Sequence, residues 1–171
     1  KVADVEYNGR VLIQPLKSYG ILLAGIDVNS FNANDIFADP MYKDAYGKSG
    51  SAKFNPTTYA LQLNGVNITA PTDVDAIMVG AEGKTVTLQF EGNNTLNASG
   101  TGDAIYARSI ASGVWIASTT AGSKLNATNT SNNHPALLLY PTTQINNIEV
   151  NTNGIMGNNT NELSIIGSTI N

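Results

Sequence analysis

Two copies of one motif, Asp75-Ala-Ile-Met and Asp103-Ala-Ile-Tyr, set two carboxylates at the same position of a recurring unit, with Asp73 just before the first. Stacked on neighbouring strands ~4.8 Å apart, two such charges repel by about 3 kcal/mol at an effective dielectric near 20. Turning outward into water relieves that repulsion, and so does a hard cation held by oxygen ligands. Calcium accepts such an irregular cage, so Asp73, Asp75 and Asp103 are the metal-ligand candidates, and structural calcium is the one cofactor the pattern admits. Nothing else in the chain requires a cofactor. With no cysteine, disulfides and thiolate metal sites are excluded, and the single His134 excludes any site built on two histidines. His134 precedes Pro135 in an Asn-rich turn and reads as an exposed loop residue.

A second set of residues suits a different chemistry. Trp115 is the only tryptophan, and an indole on the outer face of a flat sheet offers a sugar an apolar ring surface and a polar N–H. Gln62, Gln89, Glu91 and Asn64 fall in the same outward band, where they either bond ligand hydroxyls or are ordinary solvated sheet residues. A polysaccharide lyase needs a basic proton abstractor beside acidic metal ligands. Arg108, just after the Asp103 motif, is the candidate, although one arginine near one aspartate reads equally as a surface ion pair. No catalytic constellation stands out, so the chain is expected not to be an enzyme, with a calcium-dependent polysaccharide lyase as the third reading.

The elements that must position these residues come from a repeat. The segment Tyr59-Ala-Leu-Gln-Leu-Asn-Gly-Val-Asn-Ile-Thr69 has a partner at residues 19–29, returns in part as Val86-Thr-Leu-Gln-Phe-Glu-Gly92 followed by Asn94-Thr-Leu-Asn97, and ends the chain at residues 163–171. The Asp-Ala-Ile signature recurs more loosely as Pro135-Ala-Leu-Leu. Each unit holds short strands of alternating polarity between Gly, Asn, Ser or Pro turns, with no helical period between them. Such a unit cannot bury its apolar face alone and must stack on its neighbours. The expected fold is an all-β, single-stranded parallel β-helix of about five coils, right-handed, forming one domain over residues 1–171.

In that register Leu61, Leu88 and Ile116 form one internal column. Ile68, Leu96 and Leu125 form a second, and Ala76, Ala104 and Ala136 a third. Gln62, Gln89 and Ala117 face outward, and Trp115 aligns with Thr87 and Ala60 on the outer side. Gly65, Gly92 and Gly167 mark bends. Residues 1–15, with an Asn8-Gly9 turn, are expected to form a cap hairpin. Residues 38–55 are expected to leave the coil as a long loop, which would cover Trp115 if it folds back.

Composition fits this reading. Asn contributes 22 residues and Thr 17, whereas charged residues are only 13% of the 171; Thr suits a pleated sheet and Asn tolerates left-handed corners. A net charge of −4, with nine scattered Lys and Arg, argues against a nucleic-acid partner. No apolar run approaches the ~20 residues of a membrane-crossing helix, so membrane insertion is not expected. A chain starting at Lys1 rather than Met is expected to have lost an upstream segment. The Asn-x-Ser/Thr triplets are those this composition gives by chance, and regular Thr-x-Thr ladders are absent.

The run Leu61-Gln-Leu-Asn-Gly-Val-Asn-Ile-Thr69, then Asp75-Ala-Ile77 and Thr85-Val-Thr-Leu-Gln-Phe-Glu-Gly-Asn-Asn-Thr-Leu96, resembles a family of secreted bacterial carbohydrate-binding β-helix domains with a pectate-lyase-like fold. The resemblance is clearest over residues 57–107. It implies a non-enzymatic module that binds plant-wall polysaccharide, with calcium associated, on an extracellular or cell-surface protein. The alternative is a structural or adhesive surface solenoid without sugar binding, which stacks end to end or edge to edge with neighbours.

Overall fold

The computed structural model describes residues 6–7, 10–11, 15–131, 134–158 and 160–171. The chain begins with antiparallel pairings. Strand β1 (Glu6–Tyr7) pairs with β2 (Arg10–Val11), and β3 (Ser18–Leu23) with β4 (Ile26–Asn29). Two 3-10 turns, η1 (Ile36–Ala38) and η2 (Asp44–Tyr46), lead into β5 (Ser49–Asn55). Residues 49–55 therefore form a strand, where a loop leaving the coil is expected. Ala52 and Phe54 alternate inward against the core, and β5 lies antiparallel along β6 (Ala60–Thr69). Its Gly and Ser residues hide the alternation from a sequence reading.

From β6 onward the chain winds. Leu61, Leu63, Val66 and Ile68 of β6 are buried while Gln62, Asn64, Asn67 and Thr69 are exposed. The alternation skips a beat at Gly65, whose φ of +61° bends the strand so that one strand serves two faces. One coil later the same bend falls at Gly92, φ +70°, between β8 (Thr85–Glu91) and β9 (Asn93–Ala98). The strand between coils, β7 (Ile77–Val79), belongs to a third face, as does β10 (Ile105–Ala107).

The coils continue as β11 (Gly113–Ala117), β12 (Lys124–Asn129) and β13 (Leu137–Leu139), then β14 (Thr142–Asn146), β15 (Glu149–Thr152) and β16 (Ile155–Gly157). Strands β17 (Leu163–Ile166) and β18 (Thr169–Ile170) follow. The first face stacks β6, β8, β11, β14 and β17 in parallel. The second stacks the far half of β6 with β9, β12, β15 and β18, and the third stacks β7, β10, β13 and β16. The fold is thus a parallel β-solenoid. Strands β7 to β16 lie three turns apart, so it makes about three turns, fewer than the five coils expected.

The internal columns explain why it holds together. Leu61 pairs with Leu88 and Leu88 with Ile116, all with 0% exposure. Each side chain so buried contributes roughly 1.5–3 kcal/mol. Ala76, Ala104 and Ala136 stack at the corner before the third face, also fully buried.

The second column differs from expectation beyond Leu96. Leu96 meets Ala127, while Leu125 meets Asn94 and Val150, a slip of two residues. The cause is Asn94, an amide in a fully buried inward position that apolar matching passes over. Its Oδ1 accepts the Val66 N–H at 3.1 Å, and its Nδ2 donates to the carbonyls of Glu91 at 3.0 Å and Gly92 at 3.2 Å. It thereby satisfies backbone groups left free by the bend.

The two ends of the solenoid are unlike. At the first coil β3 runs antiparallel on β7 and β5 antiparallel on β6, and Phe54 packs on Tyr19 at 4.8 Å between ring centres. These strands close the end that the hairpin of residues 1–15 is expected to cap. Of that hairpin the β1–β2 pairing is present, and its Asn8-Gly9 turn lies outside the described residues. At the other end Leu163, Ile165 and Ile166 of β17 are exposed. No helix among the described residues is long and apolar enough to cross a membrane.

Candidate functional site

The first face carries the tryptophan. Strand alternation sends Val114 and Ile116 inward and Trp115 outward, and the parallel register sets Trp115 between Thr87 and Gln144. Trp115 is 42% exposed, so the segment 38–55 does not seal it. Along the solenoid the neighbouring outward column reads Gln62, Gln89, Ala117, Asn146. Gln62 Nε2 donates to Gln89 Oε1 at 3.5 Å, and Gln89 Nε2 donates to Glu91 Oε1 at 3.0 Å. Asn64 is exposed and pairs in register with Glu91. The four polar candidates and Trp115 therefore share one face.

Glu91 is more than a rim residue. Its Oε1 accepts from the Thr119 N–H at 3.0 Å and the Thr119 hydroxyl at 2.7 Å, and its Oε2 accepts from the Ser118 hydroxyl at 3.1 Å. Burial works against its charge, but hydrogen bonds from Thr120, Gln89 and Thr119 outweigh it and hold the carboxyl well below the ordinary range. Glu91 clamps the β11–β12 turn to the coil before it.

The acidic candidates sit at the corner leading to the third face. Asp75 Oδ1 accepts the backbone N–H of Asp103, one coil on, at 2.8 Å. Asp103 is only 3% exposed, and its Oδ1 has no hydrogen-bond partner among the described residues. The repeat supplies the reason. The residue above Asp103 in this column is Pro135, which has no N–H to give. Burial first, and the neighbouring Asp75 second, push Asp103 up to about 6, with His134 acting in the opposite sense. Asp75 is raised by burial and partly restored by the Asp103 N–H.

Asp73 is used elsewhere, its Oδ1 accepting from the N–H of Thr101 at 2.8 Å and its hydroxyl at 3.1 Å. Among the described residues no three His, Cys, Asp or Glu side chains gather where they could hold a metal ion. The structure brings Asp75 and Asp103 together and leaves Asp73 out of a common ligand set. His134, expected to be an exposed loop residue, is half-buried, and its charge acts on Asp103. The signal was its place immediately before the proline that stacks above the aspartates.

Arg108 lies exposed just beyond β10 and makes no ion pair among the described residues. A cleft of about 320 Å³ opens at the exposed end of the solenoid, lined by Leu139, Pro141, Ile155, Met156, Glu162 and Leu163 among others, and holds no acid–base pair.

The second face carries a ladder that the sequence reading passed over. Asn171 Nδ2 donates to Asn151 Oδ1 and Asn151 Nδ2 to Asn126 Oδ1, both at 2.9 Å. Beside them the Thr128 hydroxyl donates to Asn97 Oδ1 at 2.8 Å. The amides that look like compositional excess are rungs. Set against family models, curated proteins and solved structures, the chain matches none of them.

Proposed function

We propose that this solenoid is a non-enzymatic polysaccharide-binding module of an exported bacterial protein, acting outside the cell or at its surface. One observation carries the reading: Trp115, the largest side chain of the first face, stands 42% exposed beside an outward column that carries the amides of Gln89 and Asn146. Sugars present apolar C–H faces and equatorial hydroxyls together, and an aromatic plane beside fixed amides complements both. A glycan array tests it. Reproducible binding is expected, and Trp115→Ala weakens it by roughly 1–3 kcal/mol, as for an aromatic anchor lost from an interface, with folding unchanged.

A second reading, a structural or adhesive surface module, draws support from the exposed Leu163, Ile165 and Ile166 at one end. Uncharged strand edges of this kind favour stacking with neighbours. An array without reproducible sugar binding would select that reading.

A further inference from the structure

The outward columns of the first face are unevenly filled. Next to Trp115 the column reads Gln62, Gln89, Ala117, Asn146, a methyl among amides. Trp115 and Ala117 lie two residues apart on one strand, so both project to the same side. At the level of β11 this leaves a shallow recess. Its floor is the Ala117 methyl and one wall is the indole. Gln89 closes it from the coil before, Asn146 from the coil after, and Thr119 with Glu91 forms the far rim. The strands carrying Gln89 and Asn146 are two sheet spacings apart, ~10 Å, which leaves room for a single six-membered sugar ring.

The recess is also preset. Gln89 is held between Gln62 and Glu91, and Asn146 Nδ2 donates to Gln144 Oε1 at 3.4 Å. Side chains ordered before binding lose little entropy on binding. The rim carries a negative charge, since the hydrogen bonds to Glu91 favour its carboxylate. The cation in the same row of side chains is Lys53, which pairs with Gln62 and so lies three strands from Ala117. At ~4.8 Å per strand that exceeds the ~8 Å over which physiological salt screens exposed charges.

We infer that the recess over Ala117 is a subsite for one uncharged pyranosyl unit of a polysaccharide, stacked against Trp115 and bonded by Gln89 and by the Nδ2 of Asn146, whose Oδ1 is buried. The inference rests on the polysaccharide-binding reading and narrows it to neutral sugars over uronates.

The test fills the recess. Ala117→Gln continues the amide column in register, on an outward position that a strand tolerates, while Asn67→Gln adds the same side chain at an exposed position of the second face. Binding is measured by affinity electrophoresis against soluble xylan, mixed-linkage β-glucan, galactomannan and polygalacturonate. The unmodified chain is expected to retain at least one neutral polymer tenfold more strongly than polygalacturonate. Ala117→Gln is expected to weaken that retention at least tenfold at unchanged melting temperature, and Asn67→Gln, on the second face, to alter it less than twofold. Should Ala117→Gln fail to fold, Ala117→Thr, strand-favouring and half as deep, must weaken retention at least threefold. If Trp115→Ala abolishes binding but Ala117→Gln and Ala117→Thr do not weaken it, the subsite is overturned and the broader reading stands. Preference for polygalacturonate overturns the neutral-sugar assignment. Absence of binding to all four polymers overturns both.

Discussion

Replacing Asp103 by Asn is expected to stabilise the protein, by an amount that depends on pH. Asp103 is 3% exposed, its Oδ1 has no donor among the described residues, and Asp75 accepts its backbone N–H. Its folded-state pKa is pushed up from 3.8 to about 6. A carboxyl raised in this way binds its proton more readily in the folded chain than in the unfolded one. Its contribution is therefore complete below the unfolded value and is lost as pH rises through about 6. Two pKa units correspond to about 3 kcal/mol, and for a chain of this size 1 kcal/mol shifts the melting temperature by about 2–4 °C. Asp103→Asn removes the charge, retains the shape, and keeps the backbone N–H that Asp75 accepts. The variant should gain up to about 3 kcal/mol at pH 8 and nearly nothing at pH 4. Urea unfolding of both chains from pH 4 to pH 8 measures this. Taking the difference between them cancels other titrating groups, including carboxylates such as Glu91 whose pKa is lowered. Destabilisation at pH 8, or a difference that does not grow with pH, would refute the argument. The same series tests for calcium. If the ion sits between Asp75 and Asp103, millimolar calcium stabilises the parent at pH 8 by mass action and the variant loses that gain.

Further expectations concern the core and the clamp. Leu88→Asp should cost several kcal/mol, because it buries an unpaired charge between Leu61 and Ile116; circular dichroism of the variant checks it. Asn94→Leu should cost about 1–3 kcal/mol despite its greater hydrophobicity, since the Val66 N–H loses its acceptor. Denaturant midpoints at constant slope decide this. Glu91 has a depressed folded-state pKa, so the stability it supplies is present above its unfolded value and fades as pH falls. Glu91→Gln should flatten the acid limb of the stability curve, and an unaltered limb counts against the clamp.

How much of this was legible in the sequence depended on the kind of residue. Columns of like residues, such as Leu61 with Leu88 and Ile116, were readable because stacking demands the same apolar type at the same place. The outward direction of Trp115 followed from that register. The slip at Leu125 was not readable, because the inward position one coil earlier is filled by Asn94, whose role depends on backbone groups freed at a bend. The strand at residues 49–55 was obscured by glycine and serine, and its antiparallel partner in β6 lies in a segment that otherwise predicts parallel stacking. The meeting of Asp75 with Asp103 was expected. The orphaned oxygen was foreshadowed only by Pro135, a residue that matters for the N–H it lacks.

The unlike ends of the solenoid give its folding a direction. Strands β3 and β4 are joined by a two-residue turn at Ala24 and Gly25, and β5 meets β6 across a short connection. Every parallel coil, by contrast, closes contacts between residues such as Val66 and Asn94, 28 positions apart. Local pairings form before distant ones because they close smaller loops. The β3–β4 and β5–β6 hairpins are thus expected to form first, while the β3–β7 pairing, which joins residues as distant as Ile21 and Val79, follows with the parallel coils. Substitutions in β5 or β6 should then slow folding, whereas equally destabilising ones in β14 or β15 should leave the folding rate alone and hasten unfolding.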